Sequence, residues 1–165
     1  MVDDRYALLH PPQISTTLRS LPRRYREALT LVPRRSEAIH ERIDGHTVLD
    51  LLVDTACTLG LLDRALEQTL VRPAAPTLVA AITDPELRLW TADPLTGPEQ
   101  LVETIAETAE ATAARVYATP TKAWSRPAIV VGGGTVHAID IAREAARVGV
   151  ENLRRIERIA PRLRR

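Results

Sequence analysis

The stretch Thr47-Val-Leu-Asp-Leu-Leu-Val-Asp54-Thr-Ala-Cys-Thr-Leu-Gly-Leu-Leu-Asp-Arg-Ala-Leu-Glu-Gln-Thr-Leu70 decides the fold. Thr47 and Asp50 form a Thr-x-x-Asp variant of the capping box, so a helix starts there and runs to about Leu70. At helical periodicity Leu49, Leu51, Leu52, Val53, Ala56, Leu59 and Leu62 spread around most of the circumference, the pattern of a central bundle element. Only one arc is polar. It holds Asp50, Asp54, Cys57 and Thr58, with Leu61 and Ala65 interleaved.

Working outward, Ser20 caps a second amphipathic segment, with Pro22 in its first turn and Leu21, Tyr25, Ala28, Leu29 and Val32 at helical spacing; Pro33 ends it. Ser36 to Ile43 allows two helical turns before Asp44-Gly45 breaks the chain. Val71 to Pro98 holds five prolines and reads as a long surface connection, with room for a helical turn at Pro85 to Trp90. Gly97-Pro98 opens a third long helix with a seam of Leu101, Ile105, Ala109, Ala113 and Val116, and Thr119-Pro120 closes it. Ala128 to Thr135 reads as a short extended segment, and a last helix runs from about Val136 to Ile159. Its buried face carries Ala138, Ile141, Ala142, Ala145, Val148, Gly149, Asn152, Ile156 and Ile159, and Asp140, Glu144, Arg147, Glu151, Arg155 and Arg158 read as a solvated charged stripe. The expected fold is all-α, a four-helix bundle with a long crossover between the second and third helices.

The chain has 165 residues, of which 45% are hydrophobic, enough for one helical-bundle domain over 1–165 with residues 1–17 and 160–165 as flexible ends. Phe is absent and Tyr and Trp number only three and two, so the core is aliphatic. With 22 basic and 21 acidic residues the net charge is +1, which favours neither a nucleic-acid nor an acidic-surface partner. Six arginines crowd Arg154 to Arg165, but no aromatic residues interleave with them, so nucleic acid is not an expected partner. Cys57 is the only cysteine, which excludes an intrachain disulfide and a multi-cysteine zinc site. Met1 to Pro12 lacks the apolar run of a secretory signal, and no apolar stretch is long enough to span a membrane, so a cytoplasmic protein with no membrane partner is expected.

Three stretches together resemble the DinB/YfiT-like helical bundles, which include thiol-dependent transferases and mycothiol-dependent maleylpyruvate isomerases. They are Leu-Pro-Arg-Arg-Tyr-Arg-Glu-Ala-Leu at 21–29, Gly-His-Thr-Val-Leu-Asp-Leu-Leu-Val-Asp at 45–54, and Ala-Trp-Ser-Arg-Pro at 123–127 followed by Gly-Gly-Thr-Val at 133–136 and the last helix. The resemblance implies a divalent metal held by three histidines, one eight residues after a Trp-Ser and two spaced i, i+4 on the last helix. This chain departs at each place. His46-Thr47 stands for Trp-Ser, Asp54 follows eight residues after His46, and the inward i, i+4 pair is Val148 and Asn152, or Arg147 and Glu151 if the register slips by one. The four histidines, at 10, 40, 46 and 137, offer no i, i+4 pair. A lone Asp holds a transition cation weakly against water, so no metal and no other cofactor is expected.

Asp54 reads in two ways: a partly desolvated carboxylate acting as general base or ligand anchor, or part of a solvated face with Asp50 and Thr58. Asn152, on an apolar stripe, either lines a pocket or satisfies a neighbouring backbone group. His137, in the first turn of the last helix, is a neutral histidine at a pocket mouth or a surface residue. Cys57 reads as a buried small hydrophobe, since nothing beside it in sequence would lower a thiol pKa, and His46 as a packing residue. Gly132-Gly133-Gly134-Thr135 lacks the lysine of a phosphate-binding loop and reads as a flexible approach to the last helix. The reading that follows is a metal-independent enzyme of isomerase, transferase or cyclase type. It acts on a small organic molecule in a pocket between the second and last helices, with Asp54 and His137 as catalytic residues and Asp50, Cys57, Thr58, Val148 and Asn152 as ligand-binding residues. The alternative is a non-catalytic bundle that binds a small ligand or a partner protein. A homodimer is the expected assembly.

Overall fold

In the computed structural model, which describes residues 4–34, 37–71, 78–79, 96–130 and 134–164, the chain is a four-helix bundle with a small sheet at one end. A short helix α1 (Asp4–Ala7) precedes four long ones: α2 (Pro11–Thr30), α3 (Val48–Val71), α4 (Pro98–Ala118) and α5 (Ala138–Ile159). Each long helix packs on two others, α2 on α4 and α5, and α3 on α4 and α5, which closes the ring around one core. That core is aliphatic, with Ile14, Leu18, Leu59, Leu62, Ile105 and Ile141 fully buried.

The α2 helix begins nine residues before the expected Ser20. The His10 N–H donates to Gln13 Oε1 at 2.9 Å, Pro11 and Pro12 occupy first-turn positions that need no N–H, and Ile14 and Leu18 extend the apolar seam upstream. Pro22 therefore sits inside the helix, and Ser20 Oγ donates to the Thr17 carbonyl at 2.6 Å rather than capping. The ends expected to be free are packed: Tyr6, Ile14 and Ser15 are buried, and the closing 3-10 turn Ala160–Arg164 buries Leu163. At α3 the expected box forms, with Asp50 N–H donating to Thr47 Oγ1 at 2.9 Å and Thr47 N–H donating to Asp50 Oδ2 at 3.3 Å.

Between α4 and α5 the chain makes β2 (Pro127–Val130) and β3 (Thr135–His137), antiparallel to each other, and β1 (Leu78–Val79) lies parallel to β2 on its other side. Val136 and His137, expected in the last helix, are thus strand residues. Pairing of Ala128 with Val136 competes successfully for them, and Asp140 Oδ2 accepts the His137 N–H at 2.9 Å to start α5 one residue later. β1 falls within the segment expected to be a structureless connection. The helical turn expected at Pro85 to Trp90 and most of the triple glycine, Gly132 and Gly133, lie outside the described residues; Gly134 has φ +99°. From the Ser36 to Ile43 segment the described part forms one 3-10 turn, Ala38–His40.

Helices α2 and α5 approach closely at Gly149 of α5, where a Cβ would stand 2.5 Å from Leu21 Cδ1 of α2. Gly60, in the middle of α3, faces open space. Gly149→Ala is expected to destabilise by about 1–3 kcal/mol through overpacking, whereas Gly60→Ala is expected to stabilise by about 0.5–1 kcal/mol through helix propensity. Urea unfolding of the two variants beside the parent checks both signs.

Candidate functional site

The helices α3 and α5 pack along one seam, and two long-range contacts give their register. Asn152 of α5 reaches Asp54 of α3, and further along the same pair Arg162 reaches Asp44. Moving up one chain means moving down the other, so the helices are antiparallel and Thr58 lies level with Val148. The start of α5 lies correspondingly at the end of α3: Arg126 donates to the Leu70 carbonyl, and the Ala138 N–H donates to the Arg126 carbonyl at 2.9 Å.

At this seam, Asn152 Nδ2 donates to Asp54 Oδ2 at 2.8 Å and to Thr55 Oγ1 at 3.1 Å. Asn152 is buried and Asp54 is half-buried. The network continues into the core, where Tyr25 Oη lies 3.2 Å from Thr55 Oγ1 and donates to the Gly149 carbonyl at 2.8 Å. Thr55 Oγ1 itself donates to the Leu51 carbonyl at 2.7 Å. Burial pushes the Tyr25 phenol above its ordinary value, the Thr55 hydrogen bond opposes that, and the Asp54 charge adds to the upward shift. The result is a carboxylate at the groove surface held by an amide and backed by two hydroxyls, one of them a phenol that stays neutral.

Thr58 adds a further polar group. It is 1% exposed, and among the described residues its Oγ1 is the one buried side-chain oxygen without a hydrogen-bond partner. Thr55, Thr69 and Thr112 all return their hydroxyls to the carbonyl four residues back, which Thr58 does not. Val148, level with Thr58, is buried, and Cys57 is a half-buried free thiol. Asp50, expected in the same set, is exposed and taken up by the cap of α3.

The charged stripe of α5 is not uniformly solvated. Glu144 is 6% exposed, and Arg147 clamps it with Nε–Oε2 and Nη2–Oε1 contacts of 2.7 and 2.5 Å while also reaching Glu151 Oε2 at 2.7 Å. The hydrogen bonds to Glu144 push the Arg147 guanidinium above even the usual arginine range. A buried carboxylate needs such a partner, and Arg147 supplies a two-pronged one. Periodicity placed Glu144 outside because it lies at the edge of the buried arc, beside Val148.

His137 is elsewhere. It is an exposed residue preceding α5, fifteen residues from Asn152, which at the helical rise is about 22 Å along the axis. His46 is exposed rather than packed; its backbone N–H and carbonyl pair with Ile43 across the Asp44-Gly45 turn. The structure therefore brings Asp54 and Asn152 into contact, sets Thr58 level with Val148 by the helix register, and separates Asp50 and His137 from that contact. In the sequence Tyr25 reads only as a residue of the apolar seam, and Thr55 carries no reading of its own. Thr55 precedes a half-turn of the buried face, and a hydroxyl there next to Asp54 was the available signal.

The donor set does not fit a transition cation held by three side chains. Val148 offers no lone pair, and the Asn152 amide turns its N–H toward Asp54, leaving one carboxylate. Among the described residues no three His, Cys, Asp or Glu side chains gather as a metal site. No helix among them is long and apolar enough to cross a membrane.

No family model matches the chain, and no curated protein matches it. Two solved structures share its fold. A mycothiol-dependent maleylpyruvate isomerase superposes with a TM-score of 0.65 at 20% identity, and a histidine-to-alanine mutant of such an enzyme with 0.64 at 19%. In each case the match covers 89% of this chain and 61% of the other, so the chain spans about three fifths of their length. The likeness is one of fold: an all-α bundle of the DinB-like kind.

Tyr25→Phe removes the hydroxyl shared by Thr55 and Gly149 and is expected to cost about 1–2 kcal/mol. Because the folded phenol holds its proton more tightly than the unfolded one, its contribution is complete below the unfolded value, about pH 10, and is lost as pH rises toward the folded value. Unfolding free energies measured between pH 8 and 11 are expected to fall more steeply for the parent than for Tyr25→Phe.

Proposed function

We propose that the chain is a metal-independent enzyme of isomerase, transferase or cyclase type that acts on a small organic molecule at the groove between α3 and α5. The observation that carries this reading is the Asn152–Asp54 contact of 2.8 Å, which aims a half-buried carboxylate from a rigid helix and holds it by a second helix. Two helices crossing at a hydrogen bond keep a side chain within the narrow tolerance that acid–base catalysis requires. Asp54 is the acid–base group. Asn152 is its positioning residue, and Thr55 and Tyr25 anchor Asn152 and α5 from behind. Thr58, with its unpartnered hydroxyl, and Val148 line the substrate side with Cys57.

The fold shared with an isomerase supports an enzymatic use of this scaffold, and the donor set supports chemistry without a cation. In this reading the carboxylate takes a proton from a carbon or hydroxyl of the bound molecule and returns it to another position. The substrate's own functional groups supply the rest. His137 is not part of this chemistry, being at the far end of α5.

The purified chain is assayed against maleylpyruvate, with and without mycothiol, and against a panel of other small unsaturated and hydroxylated organic acids, each also with a chelator. Conversion that persists with chelator, and drops about 100-fold in kcat with little change in KM for Asp54→Asn, is the expected result. A variant that loses affinity but keeps kcat makes Asp54 a ligand anchor and overturns the catalytic role. Stoichiometric zinc or nickel in the purified protein overturns the metal-independent reading, and no conversion of any panel member overturns the enzymatic one.

A further inference from the structure

A second site lies at the opposite end of the bundle from Asp54. The start of α2, the end of α4, the turn before β2 and the start of α5 line an open hollow of about 740 Å3. That volume falls within the range of sites that take small organic ligands. Its inner wall is apolar, formed by Val116, Trp124 and Ile139, with Trp124 buried apart from the 8% of its surface left exposed. Its rim is basic: His10, His137 and Arg143 all line it, and no carboxylate among the described residues does.

The rim is also held in place. Arg143 Nε donates to the Leu9 carbonyl at 3.1 Å and Nη1 to Asp140 Oδ1 at 3.3 Å, so two of the donors of the guanidinium fix its plane at the cavity edge. Asp140 also faces His137 Nδ1 at 3.5 Å, so the one carboxylate nearby is engaged behind the rim by both bases. On the other side Tyr117 leaves 77% of its surface exposed, and the Arg19 guanidinium stands 5.6 Å from its ring centroid. A large aromatic ring exposed beside an apolar hollow is surface that a ligand would bury.

We propose that this cavity binds a small aromatic carboxylate, its ring against Trp124 and Tyr117 and its anionic group at the His10–His137–Arg143 rim. Flat rings match the two aromatic walls, which favour offset or edge-on stacking. A carboxylate matches a rim that offers imidazole and guanidinium donors, of which Asp140 takes one Arg143 nitrogen and faces one His137 nitrogen while lying outside the lining of the hollow. The site does not depend on the Asp54–Asn152 contact: it shares no residue with it, and Arg143, its lining residue nearest along α5, stands nine residues from Asn152, about 13 Å along the axis.

The test compares 1-naphthoate with its neutral counterpart 1-naphthamide on the full chain, by isothermal titration and by amide chemical shifts in a labelled sample. Saturable binding of the acid with Kd of about 100 μM, at least about tenfold tighter than the amide, is expected, with shifts concentrated at His137, Ile139 and Thr121. Arg143→Gln is expected to weaken the acid about tenfold while leaving the amide unchanged. Thr121 is exposed on the cavity wall, so Thr121→Trp fills the hollow without touching the core and is expected to abolish binding of both. Asp54→Asn is expected to leave the acid's affinity unaltered. Equal affinity for acid and amide overturns anion recognition, shifts centred on Asp54 and Asn152 overturn the location, and the absence of saturable binding at millimolar ligand overturns the site.

Discussion

Inside an aliphatic bundle, the Tyr25 hydroxyl donates to the Gly149 carbonyl at 2.8 Å, and the relation of α2, α3 and α5 depends on that contact. A buried hydroxyl without a partner costs more than a buried methyl of the same size, so only arrangements that satisfy Tyr25 are stable. Leucine and alanine side chains alone would let the helices slide by a turn with little penalty. Tyr25 and Asn152 do not allow it, because the Tyr25 hydroxyl donates from α2 to α5 and the Asn152 amide from α5 to Thr55 and Asp54 on α3. Gly149 makes the contact reachable: without a Cβ it lets Leu21 approach and brings the α5 backbone within range of a phenol on α2.

The same polar thread explains what the sequence made legible. Long amphipathic helices declare themselves by periodicity, and α3, α4 and α5 stand within two residues of where their seams and caps put them. The start of α2 was hidden because a double proline reads as a break, although at the first turn of a helix proline replaces N–H groups that have no partner there. The strands were hidden for a different reason. β1 and β2 are brought together from positions about fifty residues apart, and such pairing leaves no local signature in a two-residue strand.

The site was legible in its membership more than in its geometry. Asp54 stands out on the one polar arc of its helix and Asn152 on an apolar stripe, and they meet at 2.8 Å. What periodicity could not supply was the relative height of two helices, which decides whether residues on facing arcs touch. That height puts Thr58 beside Val148 and removes His137 by most of the length of α5. Glu144 was misjudged by the same limit. A helical wheel shows angle, whereas the depth of a charge at the edge of an arc depends on the neighbour that covers it, and here Arg147 accompanies it inward.

Asp54 also shows how a bundle can close over a carboxylate without a cation. A metal centre asks for several lone pairs pointing at one vacant point, a geometry that is repulsive until the ion arrives. An amide facing a carboxylate reverses this, since the Asn152 N–H supplies the positive end of the interaction from within the chain. The cost of burying the amide is offset by Thr55, whose hydroxyl accepts from Asn152 while donating to the Leu51 carbonyl. Nothing in that circuit has to be added from outside for α3 and α5 to pack. The Asp54 carboxylate is therefore oriented by folding itself, held by two helices and backed by a core tyrosine.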